Sequence, residues 1–256
     1  MKSLLLAITV FLVFVQGTMA KKGDFYQIQI YHLTGIGQEQ TMDKYLKDAY
    51  LPALHRSGIK TVGVFKPIPS DTTGGKRITL WIPLSSPNQL DKLQQQLAND
   101  VAYQSVGAEF LKAPFDQPPF KRIESILLKA FPDASHFRVT KFSTKPSERI
   151  YELRSYEGPS EYLFRQKVKM FNEGGEIKLF KSLQFNALFY GEVISGSAMP
   201  NLMYLTTHEN MAAHDAHWEA FKNAPEWKKL SALEEYKHTV SKINIMLLYP
   251  ADYSDF

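Results

Sequence analysis

The chain has 256 residues, of which 44% are hydrophobic and 22% charged, a balance that suits a soluble globular protein of one large or two small domains. Its net charge of +4 is spread with both signs interspersed and no run of five like charges, so the charge pattern shows no nucleic-acid footprint. The absence of cysteine excludes disulfides, thiolate catalysis and cysteine-ligated metal.

Lys2 precedes an apolar run from Leu4 to Val15, after which Gln16-Gly17-Thr18-Met19-Ala20 turns polar and small. This is the layout of a secretory signal peptide over residues 1–20. The apolar run is about a dozen residues, short of the ~20 that span a bilayer as a helix. The expectation is export to the periplasm or the extracellular space, with no stable membrane span once the peptide is cleaved.

Phe25 to Leu33 alternates apolar and polar residues, the period of a half-buried strand. From Gln38 to Arg56, Met42, Tyr45, Leu46, Ala49, Tyr50 and Leu54 recur at helical spacing, and Pro52 is expected to kink or shorten that helix. Thr61 to Ile68 and Arg77 to Leu84 read as strands around a turn-rich loop. Asn88 to Phe110 reads as helix and Ile123 to Phe131 as a closing strand. Residues 133–148 lack a period and read as a linker. The same order then returns: a strand at Arg149 to Tyr156, helical pieces at Tyr162 to Phe171 and Ile177 to Leu183, strands at Asn186 to Ile194 and Leu202 to Thr207, a long helical region from Asn210 to Lys242, and a strand at Ile243 to Tyr249.

The repetition extends to residues. Tyr26-Gln27-Ile28-Gln29-Ile30-Tyr31 and Tyr151-Glu152-Leu153-Arg154-Ser155-Tyr156 begin 125 residues apart (151 − 26), and Asn99 and Asn223 open matching segments 124 apart (223 − 99). The chain therefore reads as one β-α-β-β-α-β unit written twice, at 24–132 and 149–256. Each unit is a ferredoxin-like antiparallel sheet with helices on one face. Two such sheets covering each other predict an α+β barrel with helices outside and a cavity between the sheets. Open strand edges in such half-barrels predict homo-oligomers.

Three features of the second half resemble the NIPSNAP domain: the strand Tyr151-Glu152-Leu153-Arg154-Ser155-Tyr156, the segment His217-Trp218-Glu219-Ala220-Phe221, and the run Asn223-Ala224-Pro225-Glu226-Trp227-Lys228 that follows. Residues 24–132 look like a more divergent copy, with Gln27, Gln29 and Gln94 where the second copy has Glu152, Arg154 and Trp218. The resemblance implies a tandem of the dimeric α+β-barrel class and no defined reaction. The wider superfamily includes haem-degrading and cofactor-free monooxygenases and chlorite dismutases, an analogy at the level of fold alone.

Strand alternation puts Glu152, Arg154 and Tyr156 on one face and Tyr151, Leu153 and Ser155 on the other. With Leu153 assigned to the helix-packed face, the first set is expected to point into the barrel, where Arg154 suits a carboxylate or phosphate. Trp218 and Phe221 are expected to face the sheet, and Trp227 to close one end of the barrel. Glu152, Arg154, Tyr156, Trp218 and Trp227 are thus the candidate ligand-binding residues. His208, His214 and His217, beside Glu209, are weak metal candidates, since their spacing fits no zinc motif. The expected function is binding of a small molecule between the sheets, or a role in assembly. The alternatives are a cofactor-free oxygenase- or isomerase-like enzyme, or a haem protein using a histidine of the 208–217 cluster. No cofactor is predicted, and the sequence accommodates both a binding protein and an enzyme.

Overall fold

The computed structural model describes residues 23–71 and 76–256; the signal-peptide segment expected at 1–20 lies outside them. The first half contains β1 (Phe25–His32), α1 (Ile36–Tyr45), α2 (Leu51–Arg56), β2 (Gly63–Pro67), β3 (Arg77–Leu84), α3 (Gln89–Asn99), α4 (Val101–Val106), α5 (Ala108–Leu111) and β4 (Arg122–Ala130). The second contains β5 (Ile150–Glu157), α6 (Glu161–Phe171), α7 (Glu176–Ser182), β6 (Ala187–Ser195), β7 (Asn201–His208), α8 (Met211–Asn223), α9 (Pro225–Ser231) and β8 (Lys242–Pro250).

Local chemistry explains the boundaries. Ser160, Asn210 and Asp100 each accept a backbone N–H of the following turn, and so cap α6, α8 and α4. Pro52 lacks an N–H, and the turn before it, Leu46–Tyr50, widens to a π-helix, so the run continues where a kink was expected. The long helix expected from Asn210 to Lys242 is broken. Ala224 is extended ahead of Pro225, which restarts the chain as α9, and only the short 3-10 turn Glu234–Tyr236 follows.

All eight strands pair antiparallel in one closed barrel of order β1-β3-β2-β8-β5-β7-β6-β4. Each half contributes four neighbouring strands in the ferredoxin-like order, and the halves join at the β2–β8 and β4–β6 seams. The barrel thus closes within a single chain. The open-edge argument for oligomers falls with it, and self-association would need another surface.

Three apolar layers result. One packs the first sheet on its helices around Tyr45, Leu80 and Ile82; one packs the second sheet on its helices around Phe180, Tyr204 and Trp218. The third fills the barrel with Tyr26, Phe65, Trp81, Tyr151, Leu153 and Phe189. Linker residue Phe137 and C-terminal Phe256 add edge-on contacts to Trp81, at 5.0 and 5.8 Å. These rings close one end of the barrel.

Candidate functional site

The face assignment of β5 is the reverse of the expected one. Tyr151 and Leu153 lie inside the barrel, whereas Glu152, Arg154 and Tyr156 face α6 and α8 on its outside. Leu153 fits either side of the sheet, because a closed barrel is apolar within as well as without. Trp227 does not close the barrel either: it packs on Phe221 at 4.4 Å, out between the helices. Trp218 and Phe221 face the sheet as expected.

The five candidate residues nonetheless come together. Glu152, 1% exposed, is held on both oxygens. Oε1 takes Arg154 Nε at 2.8 Å and its Nη2 at 2.7 Å, and Oε2 takes Trp218 Nε1 at 2.6 Å. The Arg154 guanidinium lies 3.6 Å above the Trp218 ring, and its Nη1 reaches the Tyr156 hydroxyl at 3.3 Å. Tyr156 in turn bonds Tyr204 at 2.8 Å. His214 Nε2 stands 3.4 Å from Glu152 Oε2, an ion-pair distance, while its Nδ1 meets Asp215 at 2.8 Å.

Burial alone would push the Glu152 carboxyl up; the His214 and Arg154 partners outweigh it and hold it below the usual carboxylate range. Burial would likewise depress His214, but the Glu152 and Asp215 carboxylates raise it above an ordinary imidazole. Beside this network, Lys167 and Glu176 form a second buried pair at 2.8 Å. The Lys167 ammonium sits 4.7 Å from the Phe171 ring and 5.7 Å from Trp227.

Arg154, Tyr156, Lys167, Trp218 and Trp227 line a cavity of about 590 Å³ between the second sheet and its helices. Lys167 and Glu176 were missed from sequence, although a signal exists. Phe164, Lys167 and Phe171 fall on one stripe of α6, and a lysine on an apolar stripe needs a buried partner.

The first half supplies an internal comparison. Gln27 and Gln29 stand where Glu152 and Arg154 stand in the second, and Gln29 only accepts long hydroxyl contacts from Tyr31 and Tyr50, both at 3.4 Å. Tyr45 stacks on Phe110 at 3.7 Å and bonds Tyr103 hydroxyl to hydroxyl at 2.8 Å. A void of about 10 Å³ remains between α1 and α5.

The three histidines do converge. His208 Nδ1 meets His217 Nδ1 at 2.9 Å, so the two share one proton, and the His208 and His214 ring centres are 5.0 Å apart. Burial holds His208 down to about 3 and lowers His217 as well. Among the described residues, no group of three or more His, Asp or Glu is placed to hold a metal ion. Of the three, His214 lines the cavity, and both its nitrogens already face carboxylates, a poor fit for a haem ligand.

A second concavity opens at the other end of the barrel. It measures about 510 Å³ and includes His32, Arg77, Glu124, Ser155, Asn201 and Met246 in its wall. None of these was singled out from the sequence, because which face of β1, β3 and β4 is interior depends on barrel closure.

Two ferredoxin-like sheets closed edge to edge, with helices outside, define the α+β-barrel class. Within it, residues 151–255 match the NIPSNAP family model. No curated protein matches the chain. Among solved structures, a candidate monooxygenase of Lactobacillus acidophilus is similar over 89% of this chain and 94% of its own, with 10% identity and a TM-score of 0.58. An anthrone oxidase-like protein is similar over 91% and 93%, with 8% identity and a TM-score of 0.54. Chlorite dismutase from Candidatus Nitrospira defluvii is similar over 91% and 93%, with 7% identity and a TM-score of 0.51. These likenesses show the fold alone.

Proposed function

We propose that the protein binds a small molecule in the cavity between the sheet and helices of its NIPSNAP half. One observation carries this reading. Behind the first sheet Tyr31, Met42, Leu51, Leu97 and Tyr103 are buried in one apolar cluster, whereas the second half leaves a cavity of about 590 Å³ between sheet and helices. Packing alone would be served by the filled version.

The walls indicate the ligand class. Trp218, Trp227, Tyr156 and Phe221 offer ring faces. Arg154 and Lys167 keep spare N–H groups beyond those spent on Glu152, Tyr156 and Glu176, whereas both oxygens of Glu152 are engaged. The lining carboxylates Asp215 and Glu219 are exposed, so the groups offered deeper in are the donors of Arg154 and Lys167, which favours an aromatic ligand carrying an anionic or carbonyl oxygen.

The probe 1-anilinonaphthalene-8-sulfonate has that chemistry. It is expected to bind the native protein saturably, one to one, with quenching of tryptophan emission. The double variant Glu152→Gln/Arg154→Gln installs the pair that the first half already accommodates, without changing net charge. It is expected to stay folded and to bind roughly tenfold more weakly, the loss of one charge-assisted hydrogen bond. Unchanged affinity in the folded double variant would remove this cavity as the site.

A further inference from the structure

Neighbouring strands all run antiparallel, so β1 and β5, four places apart around the barrel, run the same way and end at the same mouth. The two halves therefore meet there about a pseudo-twofold axis along the barrel. Matching positions have diverged in chemistry. His32 corresponds to Glu157 (157 − 32 = 125) and Arg77 to Asn201 (201 − 77 = 124). Glu124 corresponds to Asn244, two residues before Ile126 and Met246, which pair with the matching residues Ile28 and Leu153. The cross-strand contact survives in both halves, His32 to Glu124 at 2.5 Å and Asn244 to Glu157 at 2.8 Å, but only the first half keeps an imidazole. At the matching outer positions of β1 and β5 the difference runs the other way, Gln27 and Gln29 in the first half against Glu152 and Arg154 in the second.

The mouth also holds unanswered polar atoms. Arg77 is 7% exposed and Asn201 3%, both line the concavity, and neither Arg77 Nε nor Asn201 Oδ1 has a hydrogen-bond partner among the described residues. A buried donor or acceptor left dry destabilises the fold, so each such atom calls for a polar partner. Arg77 is already tied to Asp71 through Nη2 at 3.0 Å, so its Nε–H is the donor left over. The register sets His32 between Arg77 of β3 on one side and Arg122 of β4 on the other. His32 spends Nε2 on Glu124, which fixes the ring and leaves Nδ1 for a ligand. Between these polar groups the wall is Ile30, Ile126, Met203 and Met246, and thioethers favour aromatic rings.

We propose that the barrel mouth is a second binding site, for a small aromatic molecule bearing an acidic hydroxyl, and that His32 accepts the hydroxyl proton. The ligand O–H bond breaks, its electron pair stays on oxygen, and an N–H bond forms on the imidazole. Nothing is oxidised or reduced. The resulting oxyanion is met by Arg77 Nε–H, the imidazolium by Glu124. Asn201 Oδ1, four strands away on the opposite wall, is left to accept a donor from the ligand's far end. This site stands independently of the outer cavity.

p-Nitrophenol reports its own ionisation by colour. Titrated into the full protein below the dye's own pKa, it is expected to show the phenolate band on binding. Measured in the Glu152→Gln/Arg154→Gln background, where the outer cavity is weakened, His32→Gln is expected to abolish the band and Glu124→Gln to weaken it. Absence of the band in the native protein overturns the proposal. So does a band that persists in His32→Gln, or one lost in the outer-cavity double variant instead. Should His32→Gln fail to fold, Glu124→Gln decides alone, and an unaltered band there counts against the assignment.

Discussion

At the scale of the residue, the second half is organised around charges removed from water. Glu152 and Glu176 are nearly inaccessible, and each is answered by a cation in direct contact. Such pairs tolerate loss of both partners better than loss of one, since a single deletion leaves an uncompensated buried charge. The buried histidine obeys the same accounting through pH. His208 is depressed to about 3, first by burial and then by His214 and His217. With its folded pKa below the unfolded value, it contributes stability that is present above about 6.5 and lost as pH falls toward 3. His214 is raised, so its contribution has the opposite sign, complete below the unfolded value and lost as pH rises through the folded one. From pH 6.5 to 5 the His208 term alone costs the native protein about 2 kcal/mol. The variant His208→Gln is expected to lack that loss. Unfolding free energies from urea titrations of the two proteins, measured across this range, should therefore differ by about that amount in the variant's favour on acidification.

At the scale of the element, the seams decide whether two sheets make one barrel. The β2–β8 seam has three residue pairs and the β4–β6 seam four, interrupted by a bulge at Leu127/Leu128. At the second seam Gly191 pairs with Ala130, and a Cβ there would lie 2.9 Å from the Lys129 carbonyl oxygen and 3.3 Å from the Leu128 Cβ. Backbone cannot swing aside as a side chain can. Gly191→Ala is expected to destabilise by about 1–3 kcal/mol, the cost of overpacking, read as a lower thermal midpoint. Neutral behaviour would mean that the seam is loose enough to breathe. The same principle of filled space separates the halves: Tyr31, Met42, Leu97 and Tyr103 form a buried cluster behind the first sheet, where the second keeps a cavity.

At the scale of the whole molecule, each half is incomplete alone. Residues 149–256 expressed by themselves would leave β6 and β8 unpaired on one edge and expose Tyr151, Leu153, Phe189, Leu205 and Leu248. A sheet in that state recruits a partner. The fragment is expected to run as a dimer by light scattering, two copies rebuilding the barrel, while a folded monomer would show that the barrel interior contributes little. Duplication within one chain then has a consequence that a symmetric dimer lacks. Matching positions are free to diverge, and here the first half keeps the imidazole and guanidinium of the mouth while the second keeps the charges of the outer cavity.

Element order, the internal repeat and the α+β barrel were legible from sequence, because the period of apolar residues and the Gly, Pro and Asn punctuation are local properties of the chain. Glu152, Arg154, Tyr156, Trp218 and Trp227 were legible as a set for the same reason: charged and large aromatic residues inside apolar patterns mark buried polar contacts. Their side of the sheet was not. Alternation shows which residues of a strand share a face, and Leu153 suits two apolar layers equally well. Only the tertiary structure decided it, since closure of β2 on β8 and β4 on β6 makes one face interior and leaves the other to the helices. That long-range pairing also moved Trp227 out of the barrel and brought His32, Arg77, Glu124 and Asn201 to one mouth, a meeting of residues that no local pattern encodes.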